Sequence, residues 1–361
     1  MHGRPVTRRW RAHGGPGEDG GWLSSTALAG RAEGATVDDA VLAGPQGREW
    51  GLGLVAAVVV AGVALRPLVA RFLDQPAVAN WATVFVAIAV QAMPFLVLGV
   101  VVSGAVAAFV PVGLLPRLLP RQPALAVPVA AAAGAVLPGC ECGSVPIAGR
   151  LVARGAPPAA ALAFLLSAPA INPVVLVATA VAFPGRPAVV VARLLASLLA
   201  SVAAGLLWAF TGRDELLDQV RGRPVATGSP LAVFAATAEH DFLHAGGFLV
   251  FGAMAAATLQ TAVPRSVLDG VAGAGPFAGL ALGVLAVVLA ICSEADAFVA
   301  ASLRQFSLRA RLVFLVVGPM VDVKLIALQM GTFGRRFAFR FAPTTFVVAV
   351  ASAAVVGWWL L

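Results

Sequence analysis

Two cysteines, a glutamate and a serine crowd together in Pro138-Gly-Cys-Glu-Cys-Gly-Ser-Val-Pro146, inside an otherwise oily sequence. Cys140 and Cys142 are soft donors and Glu141 a hard one, and Cys-x-Cys spacing lets both sulfurs reach one soft ion. Pro138, Gly139, Gly143 and Pro146 resist a continuous helix through missing N–H groups and backbone freedom. A break at membrane depth leaves backbone groups that must be buried in protein or line a wet cavity, so it supplies ligands as well as a bend. The plainer reading, small residues packing helices closely, stands beside ligation for each cysteine taken singly.

A second break is expected at Ala168-Pro-Ala-Ile-Asn-Pro173, where Pro169 and Pro173 each deprive an upstream carbonyl of its usual partner. Asn172 would line the same cavity; a kink with no ligand role is the competing reading. Farther along, Cys292, Ser293, Glu294 and Asp296 sit at the end of an apolar run, and Asp322 and Lys324 follow Gly318-Pro319. Ionisable side chains facing lipid would cost roughly 2.5–3.5 kcal/mol each, so these must turn inward and neutralise one another. Lys324, the only lysine, has Glu294, Asp296 and Asp322 available, which leaves negative charge for a cation or a proton. A salt bridge that merely locks two helices is the alternative. Ser144 belongs to the same candidate set.

The elements that must position these groups are membrane helices. The chain has 361 residues, 60% hydrophobic and only 12% charged, where a soluble domain carries about a quarter charged. Runs of roughly 20 apolar residues can each cross a ~30 Å hydrocarbon core, and their continuity excludes a transmembrane barrel. The net charge of +8 is nearly all arginine near the ends of these runs, which reads as interface anchoring rather than nucleic-acid binding. The expected fold is all-α: a polytopic membrane protein of eight or nine transmembrane helices with broken helices. Residues 1–48 read as a disordered tail and 49–210 as a first membrane half. A hydrophilic linker is expected over 211–230 and a second half over 231–361.

The two halves look duplicated. Pro94-Phe-Leu-Val-Leu-Gly99 recurs as Gly247-Phe-Leu-Val-Phe-Gly252, and Val110-Pro111 as Val263-Pro264. The spacing from Cys142 to Cys292 also pairs Arg154 with Arg304, Pro169 with Pro319, and Asn172 with Asp322. Secondary transporters are often built from such repeats, with the site where broken helices of the two halves meet. Gln91 and His244 precede the paired hexapeptides by equal steps and are expected to line the site symmetrically. Glu239, His240 and Asp241 are expected near the interface, with no role.

At these residues the sequence resembles the predicted permease family that includes the bacterial organoarsenical efflux permeases, nearer to its uncharacterised branch. The resemblance rests on Cys-x-Cys-Gly-Ser-Val-Pro, on Ala163-Phe-Leu-Leu-Ser-Ala-Pro-Ala-Ile-Asn-Pro173 and on Gly318-Pro-Met-Val-Asp-Val-Lys324, and covers about residues 50–361. It implies a multi-pass protein of the bacterial plasma (inner) membrane that moves a small solute. Glu141 stands where relatives commonly carry serine.

The expected function is a secondary permease for a soft metal ion or metalloid, an efflux system by the resemblance. Cys140, Cys142 and Cys292 would be the metal ligands, Glu294, Asp296 and Asp322 would handle charge, and Lys324 would be the counter-ion. No Walker motif is present, so direct use of ATP would need a partner, membrane-bound or extracytoplasmic. No cofactor is implied, and no nucleophile constellation suggests an enzyme. Two alternatives remain: a membrane thiol–disulfide oxidoreductase working through the three cysteines, and a non-transporting subunit of a larger complex.

Overall fold

A computed structural model describes residues 76–111, 114–120, 122–136, 140–211, 214–217, 228–262 and 277–361. The expected tail, the apolar run 51–66, Pro138-Gly139, Val263-Pro264 and most of the expected linker lie outside the described residues. All described regular structure is helical. The helices are α1 (Pro76–Phe109), α2 (Leu115–Leu118), α3 (Pro123–Ala133, prolonged by a 3-10 turn at Gly134–Val136), α4 (Glu141–Ala153) and α5 (Pro158–Ile171). They continue with α6 (Pro173–Ala182), α7 (Pro187–Thr211), α8 (Pro230–Ala262), α9 (Ala278–Leu289) and α10 (Asp296–Ser302). The last three are α11 (Leu308–Val317), α12 (Val323–Phe333) and α13 (Arg335–Leu360).

Among the described residues five stretches are long and apolar enough to cross a membrane: α1, α5 with α6, α7, α8 and α13. Helices α3, α9 and α12 are apolar but shorter. At 1.5 Å per residue an 11-residue helix covers only about 16 Å, roughly half a bilayer core. The stretch 310–330 holds not one span but two short helices, α11 and α12, separated at Gly318–Asp322.

Every residue of α5 is buried, which suits a helix that is apolar all round and occupies the middle of the bundle. The long α1 and α8 instead bury one narrow stripe each, including Ala92, Leu96, Gly99 and Ser103 on α1 and Asp241, Ala245, Leu249 and Gly252 on α8. Their outer faces expose apolar side chains such as Val90, Val97, Leu243 and Phe251, as a lipid-facing surface requires. Small residues on the inner stripe allow close approach, the usual basis of helix association in lipid.

Pairings of long and short helices frame the bundle. Helix α1 pairs with α8 and α7 with α13, while α3 against α5 is matched by α9 against α11. The short helices cross over between halves: α4 packs on α12, and α10 on α6. The two hexapeptide glycines make this possible. A Cβ on Gly99 would lie 2.4 Å from the Cα of Gly143 on α4, and one on Gly252 would lie 2.9 Å from the Cα of Lys324 on α12. Those long helices thus rest directly on the backbones of the site's short helices.

Candidate functional site

The cysteine motif does not interrupt a helix in the way expected. Cys140 is the N-cap of α4, and Gly143 and Pro146 both lie inside that helix. Pro146 is the sixth residue of α4, past the first turn, and its missing N–H leaves the Cys142 carbonyl without its usual partner. Likewise Pro169 is carried within α5, and the break falls at Asn172 alone. The Asn172 side chain serves both sides of it. Its amide Nδ2 donates to the Ala168 carbonyl at 3.1 Å, and its Oδ1 accepts from the Val175 N–H at 2.9 Å, capping α6.

Asp322 does the same work in the other half. Its Oδ1 accepts from the Leu325 N–H at 2.6 Å and caps α12. Asn172 and Asp322, and their partners Val175 and Leu325, stand in the register that also relates Cys142 to Cys292. Just before Cys292, Ala290 ends α9 in the left-handed region at φ 45°, a conformation that costs a non-glycine residue about 1–2 kcal/mol.

The crossing of α4 on α12 and of α10 on α6 brings most of the candidate residues together. One donor atom each from Cys140, Glu141 and Cys292 lies within 4.8 Å of the others. The Cys140 thiol is in interacting range of both Cys142 and Cys292, and all three cysteines are buried and free. Lys324 Nζ donates to Glu141 Oε1 at 3.0 Å and lies 3.5 Å from Asp322 Oδ2. Among the described residues Glu141 Oε2 has no hydrogen-bond partner, while the half-buried Glu294 carboxylate has only its own backbone N–H and the Cys292 thiol beside it. The Cys292 thiol lies against Glu294. Ser144 is buried beside them but turns its hydroxyl back to the Glu141 carbonyl at 3.1 Å.

Asp296 is not a partner of Lys324. It faces Arg193 of α7, whose Nη2 donates to both Asp296 oxygens at 2.9 and 3.0 Å and to the Ser293 carbonyl at 3.1 Å. Arg193 Nη1 donates to Thr179 Oγ1 at 2.8 Å, and Thr179 in turn donates to the Val175 carbonyl at 2.7 Å. Arg193 is completely buried. Sequence reasoning missed it, although an arginine in the middle of the apolar run 187–210 was a signal that some buried acid needed a counter-charge. In total four acids, Glu141, Glu294, Asp296 and Asp322, gather near two bases, Lys324 and Arg193.

Gln91 and His244 do not join this cluster. Gln91 is exposed on α1, and His244 is exposed on α8, with Nε2 2.9 Å from the Gly331 carbonyl and its ring stacked on His240. Each stands eight residues before an inward-facing glycine, Gly99 or Gly252, about 80° around its helix and off the buried stripe. Asp241, passed over in the sequence, is instead buried. It binds Arg150 Nη2 at 2.8 and 2.9 Å and accepts from Ser103 Oγ at 2.6 Å, tying α8 to α4 and α1. This pair lies about 13 Å along α4 from Glu141, as nine residues of helix require.

With this geometry in place, comparison with known proteins identifies its relatives. The family model described as "Predicted permease" (ArsP_1) matches residues 77–358. The chain belongs to that family. The resemblance carried by the cysteine, Asn-Pro and Asp-x-Lys motifs is thereby borne out, and the permease-family chain is a multi-pass membrane protein. It is 36% identical over 281 residues to "UPF0718 protein YcgR" of Bacillus subtilis, covering 76% of this chain and 96% of that one. It is 30% identical over 283 residues to a Streptococcus mutans protein named "Putative two-component membrane permease complex subunit", covering 76% and 94%. No solved structure matches.

Proposed function

We propose that this protein is a secondary permease of the bacterial inner membrane that moves a soft cation or trivalent metalloid through the cluster of Cys140, Glu141, Cys142 and Cys292. The observation that carries the reading is the convergence of thiols from both halves, with Glu141, into one buried space of metal-site dimensions. Donors around a tetrahedral thiolate-bound ion are about 3.7 Å apart for a metal–sulfur distance of about 2.3 Å. The 4.8 Å spread therefore needs a contraction of about 1 Å to close on an ion. The paired caps at Asn172 and Asp322 and the matching helix contacts support a duplicated architecture in which the site lies on the internal axis.

The two buried bases then have distinct tasks. Arg193 holds Asp296 and fixes α10 against α6 and α7. Lys324 stands in for the cargo: it holds Glu141 while the site is empty and can retreat toward Asp322 when a cation takes its place. Each half contributes one of those two acids, so cargo binding changes the charge balance across the seam between halves. That is the differential interaction a conformational change requires. Transport, rather than catalysis, accounts for this donor set.

The test is binding followed by transport. Purified full-length protein, equilibrated with zinc, copper(I) or arsenite and freed of excess, should retain close to one soft ion or metalloid per chain by mass spectrometry. C140S/C292S should retain none, and magnesium should not be retained. Equal retention by wild type and C140S/C292S, with equal uptake into proteoliposomes, would refute the thiol role. The adjacency of three free thiols also supports a second reading, disulfide exchange among them; thiol trapping that finds all three reduced under oxidising conditions excludes it. The Streptococcus relative's name supports a partner protein for this chain as well, which co-purification from the native membrane would test.

A further inference from the structure

Outside the cysteine cluster, three arginines converge without an acid. Arg186 lies in the short connection between α6 and α7, Arg304 in the connection between α10 and α11, and Arg311 on the first turn of α11. They line a cavity of about 400 Å³ whose remaining wall includes Ala182, Phe183 and Ala301. The charges of Arg186 and Arg304 bear on Arg311. Arg311 is held in place by its own backbone surroundings: Nε donates to the Phe306 carbonyl at 3.0 Å and Nη2 to the Arg304 carbonyl at 3.4 Å. Among the described residues no carboxylate lies within 4.0 Å of any of the three.

The contrast with the other arginines is informative. Arg150 and Arg193 face aspartates, and Arg154 caps the end of α1 by donating to the Val110 carbonyl at 2.9 Å and to that of Ala107. Arg304 occupies the place in the second half that Arg154 occupies in the first, yet it is exposed and turned to the cavity. Because α6 and α7 belong to membrane-crossing stretches, their connection must lie at the membrane–water boundary. A basic pocket between membrane helices at that depth suits an anionic phosphate, and guanidinium forks match phosphate oxygens in pairs.

We propose that Arg186, Arg304 and Arg311 form a phosphate-binding site that clamps the α6–α7 connection of one half to the α10–α11 connection of the other. The ligand chemistry is a phosphate mono- or diester anion, carried by a phospholipid headgroup or by a soluble phosphate. Its occupation would stiffen the contact of α6 with α10, the same contact that carries Thr179, Arg193 and Asp296 inward.

Full-length protein in detergent micelles would be titrated with phosphatidylglycerol, with phosphatidylcholine and with inorganic phosphate, and unfolding followed by tryptophan fluorescence. Saturable stabilisation by phosphatidylglycerol over phosphatidylcholine assigns a lipid headgroup; saturable stabilisation by inorganic phosphate assigns a soluble anion. Each removed charge should weaken binding about fivefold, so R186Q/R304Q should weaken it roughly 25-fold. Both side chains are exposed, so the variant should fold, which its unliganded melting temperature reports. R309Q, on the same helix but with its guanidinium 4.9 Å over the Trp358 ring, should bind as wild type does. No response to either phosphate, a response unchanged in R186Q/R304Q, or an equal loss in R309Q overturns the proposal.

Discussion

Replacing Lys324 by methionine tests the charge logic of the site. The ammonium is buried, 3.0 Å from Glu141 and 3.5 Å from Asp322. At an effective dielectric near 20 each attraction is about 5 kcal/mol before the cost of stripping water from the ions. Much of that is offset by desolvation, but removing one partner leaves the other charge buried and uncompensated, a loss of about 3–5 kcal/mol. For a chain of this size that corresponds to a fall in Tm of roughly 4–7 °C in thermal unfolding followed by tryptophan fluorescence. The double variant E141Q/K324M removes an acid together with the base and should recover to within about 2 kcal/mol of wild type. If Lys324 occupies the cargo's place, zinc should also restore K324M more than it stabilises wild type. A K324M protein as stable as wild type, or a double variant no better than K324M, would show that this pair does not carry the charge balance.

Further outcomes follow from individual contacts. D322N keeps an oxygen that accepts from the Leu325 N–H, so it should fold nearly as well as wild type while losing transport in proteoliposomes; D322A should also lose about 1 kcal/mol of helix capping. R193M leaves Asp296 buried without its base and should cost about 3–5 kcal/mol, whereas R193M/D296L should be markedly more stable than R193M alone in the same unfolding assay. G252V drives a side chain into the backbone of α12 and should cost about 1–3 kcal/mol or more, while G247A, with nothing within 4 Å of its new Cβ, should be neutral or slightly stabilising.

Several features of this protein could be read directly from its residues. Continuous apolar runs determined an all-α membrane fold, because the bilayer admits only helices and closed barrels and a barrel strand would alternate apolar with polar residues. The three long motifs determined the family. Cost alone indicated that Glu294, Asp296, Asp322 and Lys324 had to point inward. The register that pairs Asn172 with Asp322 was visible as well, and each of those residues caps a helix, α6 and α12. What the chain order could not decide was which buried charge meets which. Glu294, Asp296 and Asp322 were all offered to Lys324; packing leaves it Asp322, adds Glu141 from a helix far away in sequence, and gives Asp296 to Arg193. Helix phase decided the rest: Gly99 and Gly252 face inward, Gln91 and His244 stand about 80° around from them and are exposed, and Asp241, about 20° from Gly252, turns in. Composition sets which groups must be buried and paired; only the packing of helices distant in sequence chooses their partners, since an ion pair depends on a few ångströms that no local pattern specifies.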